Sequence, residues 1–334
     1  MSKEQYARDI RPQDPVETEF ILAQMSLRPL RGGSGEYLSL VLVDKTGQIQ
    51  GRVWNNAAAV AATLREKRVV SVRGKAEDYR GEAQISVYQA TLIEDPTPAL
   101  LAELVPQAPV DLADLRPRLA GVIAGITDPA LRGLGGAVLD SGETGEAFAA
   151  APAAKVVHHA YPGGLLEHSL EVAALCEAYC AMFPALQRDL LITAALLHDL
   201  GKVREYSVSE TIELTDEGRL VGHVAVGLRL LDQALSSQPG FPPDLAAHLT
   251  HILLSHHGEM ENGAPIVPQT MEAMALHLAD LTSARLKQFE QLLAACGDSA
   301  WSQYDRLLNR SVYGGFAPRD GAAAGRSGRE RGQV

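Results

Sequence analysis

His198 and Asp199 stand side by side at the end of an apolar run, in the stretch LLITAALLHDLGKVREY that spans residues 190–206. An ionisable pair costs free energy when it is buried without partners. The protein must therefore either compensate this pair or use it. Lys202 follows about one helical turn after His198 and could steady a phosphate as a point charge.

Several other histidines and one aspartate lie at the ends of predicted helices or within apolar ones. Each alone has an ordinary explanation as a core histidine, a cap or an ion-pair partner. Together, imidazoles and carboxylates on successive helices suit Mn, Fe, Zn, Co or Ni better than Ca, which prefers oxygen ligands. An Asp next to a His can bridge two cations about 3.5–4 Å apart, which would activate water and clamp phosphoryl oxygens. The set is His168, His198, Asp199, His223, His256, His257 and Asp280.

Length and composition place the chain among ordinary globular proteins. Its 334 residues, 46% hydrophobic and 21% charged, suggest two domains. No apolar run approaches the roughly 20 residues of a membrane span, and the polar N-terminus lacks an apolar signal core. The cysteines Cys176, Cys180 and Cys296 form no CxxC pair. These features predict a cytoplasmic protein without a membrane partner.

The net charge of −11 is unevenly distributed along the chain. Residues 1–100 carry 13 basic and 13 acidic residues, whereas the remainder carries 17 basic and 28 acidic residues and all ten histidines. An acidic, histidine-rich part suits divalent cations, although solvated acidic helix faces would give the same count. The neutral first part is the better candidate for holding a polyanion.

Five alternating apolar runs between residues 18 and 95 predict β-strands, with an Ala-rich helix between the third and the fourth. This order is that of an OB-fold, a five-stranded barrel that often binds single-stranded nucleic acid. Aromatic side chains on its surface could stack bases while cationic ones follow the backbone. Any of these aromatics could equally fill the barrel core. The candidates are Tyr37, Trp54, Tyr79 and Tyr88 for stacking and Arg52, Arg73 and Lys75 for the backbone.

The motifs resemble those of the HD-domain phosphohydrolases. His168, then His198-Asp199, then Asp280 match the H…HD…D pattern of that superfamily, and HDLGK is its usual continuation. The added His223 and the His256-His257 pair look like the variant that holds two metals. With HHAYPGGLLEHSLEV, LLSHHGE and ALHLADLTSARL behind an OB domain, the chain is similar to the YhaM-type exoribonucleases, which degrade RNA from the 3′ end. The resemblance spans about residues 18–295.

The resemblance implies a ligand set for two metals. Asp199 would bridge them, and the second would be held by His223 and by His256 or His257. The choice between these last two stays open; we favour His256, with His257 on the substrate side. The first metal would be held by His168, His198, Asp199 and Asp280.

The remaining histidines receive weaker assignments. His158 and His159 match the HH that precedes the Gly-Gly turn, so the resemblance implies a substrate contact or a packing role. His277 lies three residues before Asp280 and is predicted to orient it. His248 and His251 have no match and are interpreted as ordinary helix residues.

The implied activity is 3′–5′ hydrolysis of single-stranded RNA, or also of single-stranded DNA, by a metal-activated water. Two divalent ions are expected, with Mn favoured over Co, Fe, Mg or Zn, and Lys202 would stabilise phosphoryl charge. One alternative is an HD phosphohydrolase or phosphodiesterase that acts on small nucleotides, against which the OB domain counts. The other is a nucleic-acid-binding module with a structural metal site, against which the complete ligand set counts. The oligomeric state, including a homo-oligomer, stays open.

The predicted fold is multidomain α and β, a five-stranded OB-fold barrel followed by an all-α HD-domain helical bundle. The Pro-rich segment 94–111 is interpreted as a linker, and the Gly/Arg-rich end as a disordered tail. The predicted parts are an N-terminal extension (1–17), the OB-fold (18–95), a linker and helical lead-in (96–150), the HD domain (151–295) and a C-terminal segment (296–334).

Overall fold

The computed structural model describes residues 3–30, 35–79, 82–105, 112–140, 142–155, 159–208, 211–294, 296, 299–305 and 307–315. The chain divides into two compact units, Met1–Asp280 and Leu281–Val334. Within the described ranges, no helix is both long and apolar enough to cross a membrane. His158 and the tail predicted to be disordered lie outside the described residues.

Five strands close into a barrel at the start of the first unit. They are β1 (Pro15–Pro29), β2 (Glu36–Asp44), β3 (Gly47–Val53), β4 (Val69–Tyr79) and β5 (Glu82–Leu92), with helix α1 (Ala57–Thr63) between β3 and β4. Neighbouring strands follow the order β1-β2-β3-β5-β4, and β4 pairs back onto β1. Only the β3–β5 pairing is parallel among the five pairings of this barrel. This topology confirms the predicted OB-fold.

Alternation along β2 shows why the barrel forms. Leu38, Leu40 and Leu42 are at most 1% exposed and fill the barrel interior with the buried Phe20. Since successive side chains of a strand point to opposite faces, the residues between them face outward. The same alternation turns Tyr37 away from the core.

The Pro-rich segment after the barrel contains a helix that the sequence pattern did not predict. Helix α2 (Pro98–Leu104) follows the cap residue Thr97, whose hydroxyl accepts a backbone hydrogen bond at 3.2 Å. Its Leu104 is fully buried in a small apolar cluster with Ile21 and Val69 of the barrel. Residues Pro98–Leu104 of the predicted linker are therefore packed onto the barrel.

The rest of the first unit is mainly helical, which confirms the predicted fold class. The helices are α3 (Leu112–Ala124), α4 (Pro129–Gly135), a π-helical turn (Gly136–Asp140), α5 (Gly142–Ala150), α6 (Gly164–Met182), α7 (Arg188–Leu197), α8 (Lys202–Glu205), α9 (Asp216–Leu220), α10 (His223–Ser236), α11 (Pro243–Ser255), a 3-10 turn (Met260–Asn262) and α12 (Met271–Ala294). Helices α3 to α7 and α10 to α12 share one apolar core. At the centre of that core, α7 is buried over residues 190–197.

A β-hairpin is added to the helical part, where only helices were predicted. Strands β6 (Tyr206–Val208) and β7 (Ile212–Leu214) pair in antiparallel fashion directly after α8. Glu213 on β7 forms ion pairs with Lys67 at 2.8 Å and with Lys155 at 3.0 Å. Because Lys67 lies just before strand β4 of the barrel, the hairpin is tied to the OB-fold.

The second unit contains the C-terminal part of α12 and a short bridged segment. Trp301 and Tyr313 form an antiparallel bridge, with ring centroids 4.8 Å apart. Gln288 Nε2 donates a hydrogen bond to Asp305 Oδ1 at 3.0 Å. The sequence placed no site residue in this unit.

Candidate metal centre and nucleic-acid interface

Five helices bring the predicted ligands together at one place. The buried helix α7 ends at Leu197 and His198 is its C-cap, so a rigid apolar segment aims His198 and Asp199 into the interior. His168 lies on α6, His223 begins α10, His256 and His257 follow α11, and Asp280 lies on α12.

Gly201 allows the turn after Asp199 to pack against the start of α10. A Cβ atom at Gly201 would lie 1.9 Å from the carbonyl oxygen of His223 and 2.6 Å from the backbone nitrogen of Gly227. No side chain fits between these backbones, so the HDLGK turn requires glycine here. This close approach brings His223 Nε2 to 3.5 Å from Asp199 Oδ1.

A first group of ligand atoms forms around His168 and His198. Their Nε2 atoms are 3.3 Å apart, and Asp280 Oδ1 lies 3.1 Å from that of His168. Asp199 Oδ2 is 3.6 Å from His168 Nε2 and 3.3 Å from His198 Nε2. Two imidazole nitrogens and two carboxylate oxygens of the kinds that hold transition-metal ions therefore face one another.

A second group forms around His223, His256 and His257. One ring nitrogen of each lies within 4.8 Å of the others, and the Nε2 atoms of His223 and His257 are 3.2 Å apart. Asp199 Oδ1 is 3.5 Å from His223 Nε2 and 3.7 Å from His256 Nε2. Asp199 therefore turns one oxygen toward each group. His256 and His257, the two candidates for the last ligand of the second metal, both belong to the second group.

Backbone carbonyls select the tautomer of two of these imidazoles. His198 Nδ1 lies 2.8 Å from Ala195 O, and His256 Nδ1 lies 2.7 Å from Leu253 O. Because a carbonyl oxygen only accepts, each Nδ1 donates and each neutral ring keeps its lone pair on Nε2. His256 Nε2 is buried and makes no hydrogen bond to any described residue. Lone pairs that converge with carboxylate oxygens in a buried place fit divalent cations.

Burial favours the neutral, metal-binding form of most of the site histidines. It lowers the pKa of His168 and of His257, and together with the charge of His257 it holds the pKa of His256 well below its usual value. His198 differs. Burial lowers its pKa, but the charge and hydrogen bond of Asp199, the charge of Asp280 and the hydrogen bond to Ala195 O together outweigh burial and raise it.

Asp199 and Lys202 form a buried ion pair. Lys202 Nζ is 2.6 Å from Asp199 Oδ2, and the two side chains are 12% and 3% exposed. Burial alone would raise the pKa of Asp199, but the charge of Lys202, followed by that of His198, holds it well below its usual range. Burial likewise opposes ionisation of Asp280, whose pKa is lowered by its hydrogen bond with His168. Both carboxylates are therefore anionic at neutral pH.

His159 lies beside the first ligand group. It is fully buried with a left-handed φ of 55°, and its ring centroid is 5.4 Å from that of His168. Its Nε2 lies 3.2 Å from Glu171 Oε2. This position suits packing behind His168, and the substrate contact predicted for His159 and for His158 stays a prediction.

The other histidines make contacts outside the ligand groups. His277 Nδ1 donates to His256 O at 2.9 Å, so His277 supports the turn after α11. The sequence had suggested a contact of His277 with Asp280 instead. His248 Nε2 lies 2.9 Å from Thr270 Oγ1. His251 Nε2 accepts a hydrogen bond from a backbone N–H at 3.0 Å. These last two are the ordinary contacts expected of helix residues.

Glu205 belongs to the site although the sequence gave no reason to select it. This residue ends α8, and its Oε1 lies 3.1 Å from His223 Nδ1. Burial would raise the pKa of Glu205, but the hydrogen bond with His223 lowers it. A single glutamate on a short helix carries no distinctive pattern, so only the approach of α10 reveals this contact.

The barrel carries an outward-facing cluster of aromatic side chains around Arg52. The guanidinium carbon of Arg52 lies 5.3 Å, 5.6 Å and 4.6 Å from the ring centroids of Tyr37, Trp54 and Tyr79. The rings of Tyr37 and Trp54 are 5.1 Å apart. Trp54 is 40% exposed and Tyr79 is 43% exposed, so these rings do not fill the core. Exposed rings beside a cation form a surface on which bases can stack.

The remaining barrel candidates are exposed. Lys75 and Arg52 pair with the same residue of β5, which places them in one row across the barrel. Tyr88 is 70% exposed. Arg73 is also exposed, but its Nε donates to Glu17 Oε1 at 2.8 Å. Arg73 is therefore engaged in an ion pair, whereas Lys75 and Tyr88 lie open to solvent.

Two family models match these two parts of the chain. The HD domain model covers residues 165–285, and the model of an OB-fold nucleic acid binding domain covers residues 24–93. The first range contains every proposed metal ligand, and the second contains the aromatic cluster. Together with the barrel topology and the ligand geometry, they define an HD-domain hydrolase that carries an OB-fold nucleic-acid-binding domain.

Curated relatives narrow this class further. The 3′-5′ exoribonuclease YhaM of Shouchella clausii is 30% identical over 299 residues, which cover 88% of this chain and 92% of that protein. The protein of the same name from Bacillus subtilis is 27% identical over 296 residues, covering 88% and 93%. A solved structure, the second OB-fold domain of replication protein A from Methanococcus maripaludis, is 22% identical with a TM-score of 0.24 and covers 29% of this chain and 99% of that one. The chain belongs to the YhaM 3′-5′ exoribonuclease family and is a nuclease of the hydrolase class.

Proposed function

We propose that this protein removes nucleoside 5′-monophosphates from the 3′ end of single-stranded RNA with the help of two divalent metal ions. The position of Asp199 carries the proposal, since its Oδ2 lies within 3.6 Å of two imidazoles and its Oδ1 within 3.7 Å of two others. The names of the relatives support RNA as the substrate. The ion we propose is Mn, with Co, Fe, Mg and Zn as the other candidates, since mixed imidazole and carboxylate ligands suit divalent cations of this kind.

The two ions, when bound, would supply Lewis acidity that polarises phosphoryl oxygens and acidifies water. His168, His198 and Asp280 would hold the first ion and His223 and His256 the second, with Asp199 between them.

In the reaction, a water oxygen adds to phosphorus while the P–O3′ bond breaks, and the leaving O3′ takes up a proton. Lys202, beside Asp199, would stabilise the negative charge that develops on the phosphoryl oxygens. His257 is assigned to the substrate side because it is less buried than His256.

The barrel would hold the RNA strand while its 3′ end is hydrolysed. Tyr37, Trp54 and Tyr79 surround Arg52, and each stacked base contributes about 1–3 kcal/mol in comparable proteins. Lys75 would follow the backbone from the same row of the barrel. Single-stranded DNA is the second candidate substrate, because stacking and phosphate contacts do not depend on the 2′-hydroxyl. The proposed compartment is the cytoplasm, which the free state of the three cysteines supports.

The test is a cleavage assay with full-length protein, Mn(II) and a 5′-labelled single-stranded RNA. Wild type should shorten the RNA stepwise and release nucleoside 5′-monophosphates, whereas His198→Ala and Asp199→Asn should reduce cleavage to the background. His251 lies on α11 outside both ligand groups, so the variant His251→Gln should retain activity. Stepwise shortening that survives both site substitutions would refute the assignment of the site. Preferential cleavage of a small phosphodiester, compared under Mn, Co, Mg and Zn, would refute the assignment of the substrate.

A further inference from the structure

The orientation of His223 depends on one carboxylate. Glu205 is 7% exposed, and its Oε1 lies 3.2 Å from the backbone nitrogen of His223 and 3.1 Å from Nδ1 of the same residue. An ionised carboxylate only accepts hydrogen bonds, so the backbone N–H and the ring Nδ1–H of His223 both donate to Glu205. The neutral ring then keeps its lone pair on Nε2, which lies 3.5 Å from Asp199 Oδ1.

We propose that Glu205 is a positioning residue for the second metal ion, because it holds His223 in the Nδ1–H tautomer with Nε2 turned toward Asp199. The identity of the ligand as a divalent cation rests on the proposed function. The role of Glu205 in holding the His223 ring does not rest on the proposed function, since it follows from the described contacts alone.

His223 needs this support because of its place in its helix. His198 and His256 use the carbonyl three residues earlier in their own helices as the acceptor for Nδ1–H. His223 is the first residue of α10, so its own helix offers no earlier carbonyl. The acceptor comes instead from Glu205, 18 residues earlier in the chain. A carboxylate also makes the imidazole a more basic ligand than a neutral carbonyl does.

The backbone around Glu205 is held on two sides. Its carbonyl oxygen accepts a hydrogen bond from Thr215 N at 2.9 Å, and Thr215 Oγ1 donates to Arg204 O at 2.6 Å. A Cβ atom at Gly218 would lie 2.5 Å from the same carbonyl oxygen. The β6–β7 hairpin and the start of α9 therefore fix the backbone from which the carboxylate reaches His223.

The consequence is an asymmetry between the two ions. Supporting residues of this kind change metal affinity by about 10–100-fold when they are replaced. Among the described ligands, Glu205 contacts only His223, which belongs to the second group. Loss of Glu205 should therefore weaken the binding of one ion and leave the binding of the other unchanged.

The first experiment is a titration of full-length, metal-free protein with Mn(II), in which free Mn(II) is measured by electron paramagnetic resonance. Wild type should bind two ions, and Glu205→Gln should keep one at the wild-type affinity and bind the other about 10–100-fold more weakly. Glu213→Gln is the matched control, since Glu213 lies on the hairpin that follows Glu205 and pairs with Lys67 and Lys155. It should bind both ions as wild type does. Two unchanged affinities in Glu205→Gln, or an equal loss of both, would overturn the proposal.

The second experiment reads the tautomer without metal. In metal-free wild type with ¹⁵N-labelled histidine, the signal assigned through His223→Gln should show hydrogen on Nδ1, and Glu205→Gln should shift it toward the Nε2–H form. An Nε2–H ring in wild type would overturn the proposal even if the variant does not fold. Wild type that binds no Mn(II) would refute the proposed function, and the tautomer would still decide the role of Glu205.

Discussion

Replacing Lys202 with Met tests whether the buried ion pair with Asp199 stabilises the metal-free protein. Lys202 Nζ lies 2.6 Å from Asp199 Oδ2, and the aspartate side chain is only 3% exposed. Methionine keeps an apolar stem but removes the charge, so a buried carboxylate loses its nearest cationic group. Breaking a buried pair by removing one partner costs about 3–5 kcal/mol. We expect the free energy of unfolding of the metal-free variant to fall by this amount near neutral pH.

A divalent cation should recover much of this loss, because it places positive charge beside Asp199 in place of the ammonium group. Thermal unfolding followed by circular dichroism, with chelator and with Mn(II), measures both effects. A change of 1 kcal/mol shifts the midpoint by about 2–4 °C in a domain of 150–250 residues. Mn(II) should therefore raise the midpoint of Lys202→Met more than that of wild type.

Arg116→Met is the control for loss of a charge without burial. Arg116 pairs with Glu146 at the surface, where the two side chains are 45% and 67% exposed. Such a pair contributes about 0–1 kcal/mol. Equal destabilisation by the two substitutions, or a Lys202→Met deficit that Mn(II) leaves unchanged, would refute the view that the buried carboxylate requires a nearby cation.

Three further predictions concern backbone contact, pH and the barrel surface. Gly201→Ala should lower the unfolding free energy by about 1–3 kcal/mol or more, since its Cβ would lie 1.9 Å from the backbone of α10. In the same denaturant titrations, Gly121→Ala on the open surface of a helix should be neutral or stabilising. The metal-free protein should lose stability as pH falls from about 7 to about 5. More of the site histidines have a lowered pKa than a raised one, so the unfolded chain binds more protons than the folded one in this range. Urea titrations should show a flatter dependence of the unfolding free energy on pH for His256→Gln. Trp54→Ala should weaken binding of single-stranded RNA by about 1–3 kcal/mol in fluorescence titrations, and the exposed Trp301→Ala of the second unit should not.

The ligand residues were predictable because their signals are local. An apolar run that ends in His198-Asp199 and a His-His pair at the end of another helix can be recognised by spacing alone. The family resemblance added the grouping of His168 with Asp280, which lie far apart in the chain. The structure brings these residues to 3.1 Å.

Other features of the site had no local signal. Nothing near Glu205 in the chain predicts its contact with His223, and the short β6–β7 hairpin was missed because three-residue strands hardly show alternation. The sequence also did not predict that Arg73 pairs with Glu17, since Glu17 lies on another strand. Each of these contacts joins segments that are distant in sequence.

Alternation and helical spacing are properties of neighbouring residues, and they suffice for the OB-fold, the helical part behind it and the side chains able to bind metal. Long-range packing settles how those side chains are used. The contact of Gly201 with the start of α10 brings Asp199 near His223, so that the two carboxylate oxygens face different imidazole groups. Packing also places Lys202 on Asp199 and turns Tyr37 and Trp54 outward around Arg52. These arrangements depend on distances between elements, which periodicity along a single element does not contain.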